Sequence, residues 1–303
     1  MINKNVYKKI VIYLAVFIVM TSWSGCQFFK AEESEPRLLK ISANPWIGYT
    51  PLFYLDRTGE LKKLGFELRM VHSLGDSPSL MSNGLVDAFA ATQYELLSYR
   101  EELPDVVPIF TIDRSAGADK IHSNLTIKEL RNTKTPIQVF MEIGSVNQDL
   151  FYSFIKKYHL THLHFHFHND PQNLLAHLQY HPNEKIIVVS YEPFCSQLEQ
   201  KGIPAIASSK NLDAFIIDAF FTRLDLLKRY PKKFERLKQA FWRAKKVLDS
   251  DPHTFYHSVY RYLNGQSYES FLKSLKGIEW LPSPSPQIKA YLQEQKIEIS
   301  YLP

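Results

Sequence analysis

Carboxylates stand where this chain's strands are expected to end. Asp113, Glu142, Glu192 and Asp218 all fall near expected strand ends, placed to bind a ligand amine or to tie two parts of the chain together. Two loops carry the complementary chemistry. Gly144 and Ser145 precede a helical stretch, and Ser73, Gly75, Asp76 and Ser77 lead into another that Pro78 opens. Backbone N–H groups and the helix dipole at such a start favour a polar or anionic group. Trp46, Tyr49, Tyr94 and Tyr191 offer flat apolar surfaces that either wall a cleft or fill a core.

His162, His164, His166 and His168 alternate with Leu163, Phe165 and Phe167. A period of two puts all four imidazoles on one face of a strand. Neighbouring imidazoles bind zinc or copper. No cysteine or well-spaced carboxylate completes such a site, and His177 and His181 add only an i, i+4 pair on the following helix. The expectation is a half-exposed strand with a histidine face and no metal.

The chain has no evident nucleophile–base pair and no Gly-rich phosphate loop, so neither an enzyme nor a cofactor is expected. Lys4, Lys8 and Lys9 precede the apolar run Ile10 to Met20, which is shorter than the roughly 20 residues that cross a bilayer. This is the pattern of a secretory signal, residues 1–25. Ser24-Gly25-Cys26 resembles a lipoprotein cleavage site, with Trp23 where an aliphatic residue is usual, and implies lipidation at Cys26. Residues 26–37, with Glu32, Glu33 and Glu35, have too little apolar surface to fold and form a tether. The formal charge of +5 includes the three signal lysines, so the remainder is close to neutral and nothing argues for nucleic acid. Cys195 is the one other cysteine, which excludes an internal disulfide in the exported chain.

From Leu38 to about Phe221, strand-type runs alternate with helical ones. Strands are expected at Leu38–Ser42, Phe66–Val71, Val86–Ala90 and Val106–Ile112, then at Ile137–Phe140, Leu163–Phe167, Lys185–Val189 and Phe215–Phe221. Thr50-Pro51, Ser77-Pro78 and Asp170-Pro171 have the residue types of helix starts, and Gly65 that of a stop. Helices are expected at Gln148–Tyr158 and Pro231–Asp249, and beyond Thr222 the pattern is helical. Two α/β units with a helical remainder make a two-lobed architecture.

A run of short motifs resembles one family, the nitrate/sulfonate/taurine-type solute-binding proteins, which also include binders of thiamine precursors. The motifs are Asn44-Pro45-Trp46-Ile47-Gly48-Tyr49, then Ser82 to Ala88, Asp113-Arg114-Ser115-Ala116-Gly117-Ala118-Asp119, Glu142 to Val146, Ser190-Tyr191-Glu192-Pro193-Phe194, and Arg223 to Pro231. They occur in order across roughly Leu38 to Leu281. Two departures stand out: Ile186-Ile187 replace a usual Asp-Ala, and Ala116 replaces an asparagine.

The resemblance implies a type II-like periplasmic-binding-protein fold, each lobe a mainly parallel sheet flanked by helices. Lobe 1 would be 38–113 with 222–303, and lobe 2 would be 114–221. The ligand would lie between lobes at the carboxyl ends of strands. The candidate ligand set is Asn44, Trp46, Tyr49, Ser73, Asp76, Thr92, Asp113, Ser115, Gly117, Gly144, Ser145, Tyr191, Glu192 and Asp218. Arg114 is the only arginine inside the strand-end motifs, fewer guanidinium groups than an anion-selective cleft wants, which leans towards a neutral or amine-bearing ligand. The implied function is capture of a small organic molecule, sulfonate/taurine-like or thiamine-precursor-like, by an exported, lipid-anchored monomer that delivers it to an ABC-type permease. A receptor that reports its ligand to a membrane sensor protein is the alternative. A pyrimidine-forming enzyme of thiamine synthesis shares the fold, but its cysteine-rich motif is missing here.

Overall fold

The computed structural model describes residues 37–169, 174, 177, 179, 181 and 183–302. The signal segment, Cys26, the tether up to residue 36 and the Asp170-Pro171 helix start lie outside the described residues. β1 (Leu39–Ala43) is flanked on both sides by parallel neighbours, β2 (Phe66–Met70) and β3 (Ala88–Thr92). Helices α1 (Thr50–Arg57) and α2 (Glu60–Lys63) join β1 to β2, α3 (Asp76–Ser82) joins β2 to β3, and α4 (Gln93–Ser98) follows β3. Three antiparallel strands, β4 (Val106–Ser115), β10 (Ile217–Arg223) and β11 (Ile278–Trp280), complete a sheet of order β11-β4-β10-β3-β1-β2.

The second sheet has the order β7-β6-β8-β5-β9. Its strands are β5 (Asp119–Ser123), β6 (Ile137–Phe140), β7 (Phe165–His168), β8 (Ile186–Tyr191) and β9 (Ala205–Ser208). Helices α5 (Ile127–Asn132), α6 (Val146–Lys157) and α7 (Phe194–Gln200) connect them. Every residue of β8 is buried, as a central strand covered on both faces requires, and Ile186-Ile187 belong to that run. The tail adds α8 (Leu224–Arg229), α9 (Pro231–Ser250), α10 (Pro252–Val259), α11 (Tyr268–Leu275) and α12 (Pro286–Glu294). In α9 the buried residues Phe234, Leu237, Ala240, Phe241, Ala244 and Leu248 form one helical stripe. Phe241 packs on Phe110 and Phe220 of the first sheet, with ring centroids 5.6 and 5.7 Å away.

Several expectations change. Both sheets are mixed rather than mainly parallel, because β10 runs against β3 and β4, and β5 runs against β8 and β9. The lobe boundary expected at 221/222 moves as well: β10 pairs inside the first sheet, so the chain returns to lobe 1 between Ser209 and Ile216. β5, β9 and β11, absent from the strand-type runs, are short and carry polar residues that hide their pattern. Tyr49, not Thr50, stands at the N-cap of α1, and the Thr50 hydroxyl donates to the Ile47 carbonyl at 2.9 Å. Gly75, not Ser77, stands at the N-cap of α3.

The two lobe crossings are stitched to each other. Ser115 N–H donates to the Ile216 carbonyl and Ser209 N–H to that of Asp119, at 3.0 and 2.9 Å. The Ser115 and Ser209 hydroxyls are 2.8 Å apart, and Gly117 N–H donates to Ser209 Oγ at 2.9 Å. Gly117 has φ +124°, a conformation other residues rarely adopt, which lets the chain turn between sheets.

Candidate functional site

The carboxyl ends of β1, β3 and β8 meet the amino ends of β5 and β10. There Asn44, Trp46, Tyr49, Thr92, Tyr191 and Asp218, all in the expected ligand set, line one cavity of about 10 Å³. Leu74, Asp119 and Val146 complete its wall. That volume is about the room of one water molecule. A second pocket of about 160 Å³, lined by Glu142, Asn147, Ser190, Phe194 and Leu198 among others, shares Tyr191 with it. A third, of about 210 Å³, shares Val146 and includes Tyr94.

The first-lobe wall is built from a short motif. The 3₁₀ turn Ile47–Tyr49 places Trp46 and Tyr49 beside the strand ends. Trp46 Nε1 donates to both oxygens of Asp113, at 3.3 and 3.2 Å, and the Tyr49 hydroxyl donates to Asp218. Gly48 is required by close approach: a Cβ there would lie 1.8 Å from Asp113 Oδ2. Asp113 and Asp218 are register partners on β4 and β10. Burial pushes both carboxyls upward; the charge of Asp113 raises Asp218 as well, while hydrogen bonds with Trp46 and Asp218 work against the rise of Asp113. Across the cleft, the Trp46 and Tyr191 rings meet edge to face at 6.1 Å. Tyr191 is buried, and desolvation followed by the charge of Glu142 raises its hydroxyl pKa.

Two carboxylates that lie outside the expected set bridge the lobes. Glu95 closes a capping box with Thr92, its Oε2 accepting from Thr92 N–H at 2.9 Å. Its Oε1 accepts from Val146 N–H at 2.9 Å, at the first turn of α6. Glu142, beyond β6, accepts in return from the Leu74 N–H ahead of α3. Each lobe therefore places a carboxylate on an amide of the other. Glu142 stood among the strand-end carboxylates; Glu95 gave no signal beyond its place three residues after Thr92.

Other expected residues stand outside the cavity. Gly144 is exposed and its N–H donates to Gln148 Oε1, while Ser145 is the N-cap of α6 and accepts from Asn147 N–H. Asp76 accepts from Ser73 N–H at 3.0 Å, closing its own loop. Ser115 and Gly117 belong to the lobe crossing. Glu192 faces Lys120 at 2.8 Å and Gln266 Nε2 at 3.3 Å, forming a tie between lobes rather than a cavity wall. Arg114 lies over the Phe215 ring, 4.6 Å from its centroid.

The histidine strand does not converge on a centre. His166 and His168 lie in β7, whereas His162 and His164 precede it, with His162 Nε2 3.2 Å from the Arg131 carbonyl. His168 stacks on Phe140 and is 2.7 Å from Gln138 Oε1. Phe165 and Phe167 pack on Phe151 from the other face. Among the described residues, no three His, Cys, Asp or Glu side chains form a metal-holding group. Likewise, no described helix is long and apolar enough to cross a membrane.

No protein-family model matches this sequence. A comparison with curated proteins likewise gives no match. Solved structures do match. The alkanesulfonate-binding protein from Xanthomonas axonopodis pv. citri, bound to MOPS, superposes with a TM-score of 0.68 at 14% identity, over 89% of this chain and 96% of that one. The periplasmic aliphatic sulphonate-binding protein from Escherichia coli gives 0.66 at 13%, over 86% and 91%. The ligand-binding component of an ABC-type import system from Staphylococcus aureus, with zinc bound, gives 0.65 at 15%, over 88% and 94%. With its mixed sheets joined by two adjacent crossings, the chain has the two-lobed periplasmic-binding-protein fold found in the sulfonate-binding proteins.

Proposed function

We propose that this chain is the solute-binding protein of an ABC-type importer. It captures a small organic molecule between its lobes and delivers it to a membrane permease, as an exported monomer held at the cell envelope through lipidated Cys26. The observation that carries this reading is one cavity walled from both sides: Asn44, Trp46, Tyr49 and Asp218 from one lobe, Asp119, Val146 and Tyr191 from the other. A ligand can favour lobe closure only by contacting both lobes, and this cavity is where such contacts are made. The paired crossings at Ser115–Asp119 and Ser209–Ile216 supply a hinge. The test is a thermal-shift screen of small organic solutes followed by uptake of the hit in cells lacking the gene. A saturable stabiliser whose uptake disappears with the gene supports import. Unchanged uptake of a tightly bound solute would mean that the chain binds without transporting.

A further inference from the structure

Resting on the solute-binding reading, we infer that the cleft takes a small organic cation, with a primary ammonium or amidinium head seated against Asp119, and not a sulfonate or another oxyanion. The first reason is that N–H groups at both helix starts are already engaged by the protein itself. At the start of α6, Val146 donates to Glu95, Asn147 to Ser145 Oγ and Gly144 to Gln148. The Leu74 amide of the facing loop donates to Glu142. An oxyanion at either place would have to displace a carboxylate of the protein itself.

The second reason is what remains open. Asp119 is buried at 3% exposure, lines the cavity, and its Oδ2 has no hydrogen-bond partner among the described residues. Asn44 Oδ1, also a buried cavity-lining atom, is likewise without one. No lysine or arginine lines the cavity. A cluster of buried acceptors around water-sized space calls for a ligand that donates, and an ammonium head has that size and three donors. A 160 Å³ pocket shares Tyr191 with this cavity and is lined by both Glu142 and Lys201.

The groups around Asp119 set a pH dependence. Burial, with the charges of Glu95 and Glu192, raises its carboxyl to about 7 against the Ser115 hydrogen bond. Asp113, Asp218, Tyr191 and the Cys195 thiol also interact with it electrostatically. Lys120, the next residue, is ion-paired to Glu192 and Glu199. A cation binds the ionised carboxylate, so its affinity rises with pH through this range; an anion would show the opposite trend.

The experiment is calorimetric titration of the purified full chain with propylammonium, benzamidine and ethanesulfonate. Between about pH 6 and pH 8 the ammonium or amidinium affinity should rise about tenfold, as a carboxyl titrating near neutrality ionises. Asp119→Asn should abolish that rise and weaken binding. Glu95→Ala, which exposes the Val146 amide, should gain ethanesulfonate binding that the wild type lacks; Glu95→Ser, too short to reach that amide, serves if the alanine variant does not fold. Ethanesulfonate binding to the wild type, stronger at low pH, would overturn the cation inference and leave the solute-binding reading standing. No binding by any of the three probes, together with no hit in the wider solute screen, would overturn both.

Discussion

The carboxylate of Glu95 in α4 reaches across the cleft to the backbone amide of Val146 at the start of α6, at 2.9 Å. Its other oxygen caps its own helix through Thr92. One side chain thus closes a helix in the first lobe and holds the N-terminus of a helix in the second. Both ends are buried, so removing the carboxylate strands amides that have lost water. Glu95→Ala should cost about 1–3 kcal/mol of stability per amide left unsatisfied. Small-angle scattering should show the lobes further apart. An unchanged radius of gyration with unchanged stability would show that this contact does not hold the lobes.

Trp46 has two roles that one substitution cannot separate. It is buried, packs in the main core and donates to Asp113. Trp46→Ala should therefore lower folding stability by about 3–5 kcal/mol, as deletion of a core aromatic does. Trp46→Phe keeps most of the packing and removes the donor. It should cost less in urea unfolding while leaving Asp113 harder to ionise. Equal losses for the two variants would mean that the indole N–H, not the ring, carries the effect.

Stability should fall as pH rises through the range in which Asp119 titrates. Its carboxyl moves from the ordinary 3.8 up to about 7 because burial penalises the charge. The native state then binds a proton that the unfolded chain has released, so this contribution is complete below about pH 4 and is lost as pH rises to about 7. A shift of this size corresponds to up to about 4 kcal/mol. Asp119→Asn should flatten that part of the melting-temperature profile between acid and neutral pH. A profile that keeps the wild-type slope would place the titrating group elsewhere, with Asp113 and Asp218 the next to substitute.

Anchoring is tested at Cys26, outside the described residues. Cys26→Ser should move the protein from the membrane fraction to the soluble one, or leave the signal segment uncut. N-terminal mass analysis of the wild type should find a lipid-modified cysteine as first residue; any other first residue would remove the anchor from the proposal.

The α/β alternation and the two-lobed plan were legible in the residue pattern, as were several of the residues that line the cavity. Trp46, Tyr49 and Tyr191 were legible because each sits in a short motif at or just beyond a strand's carboxyl end; Asp218 stands instead at the amino end of β10. The histidine strand was legible only as a pattern: the period of two gave the faces, whereas the packing of His168 on Phe140 came from a neighbouring strand. Strand direction and lobe membership were hidden, because β10 reads as a buried apolar run whichever sheet it joins. The fate of the helix starts was decided only in three dimensions. Gly144-Ser145 advertises free amides in any sequence, but Glu95 is 51 residues from Val146 and Leu74 is 68 from Glu142. Local pattern specifies that an N-terminus needs an acceptor; which carboxylate supplies it depends on how two separately built lobes face each other.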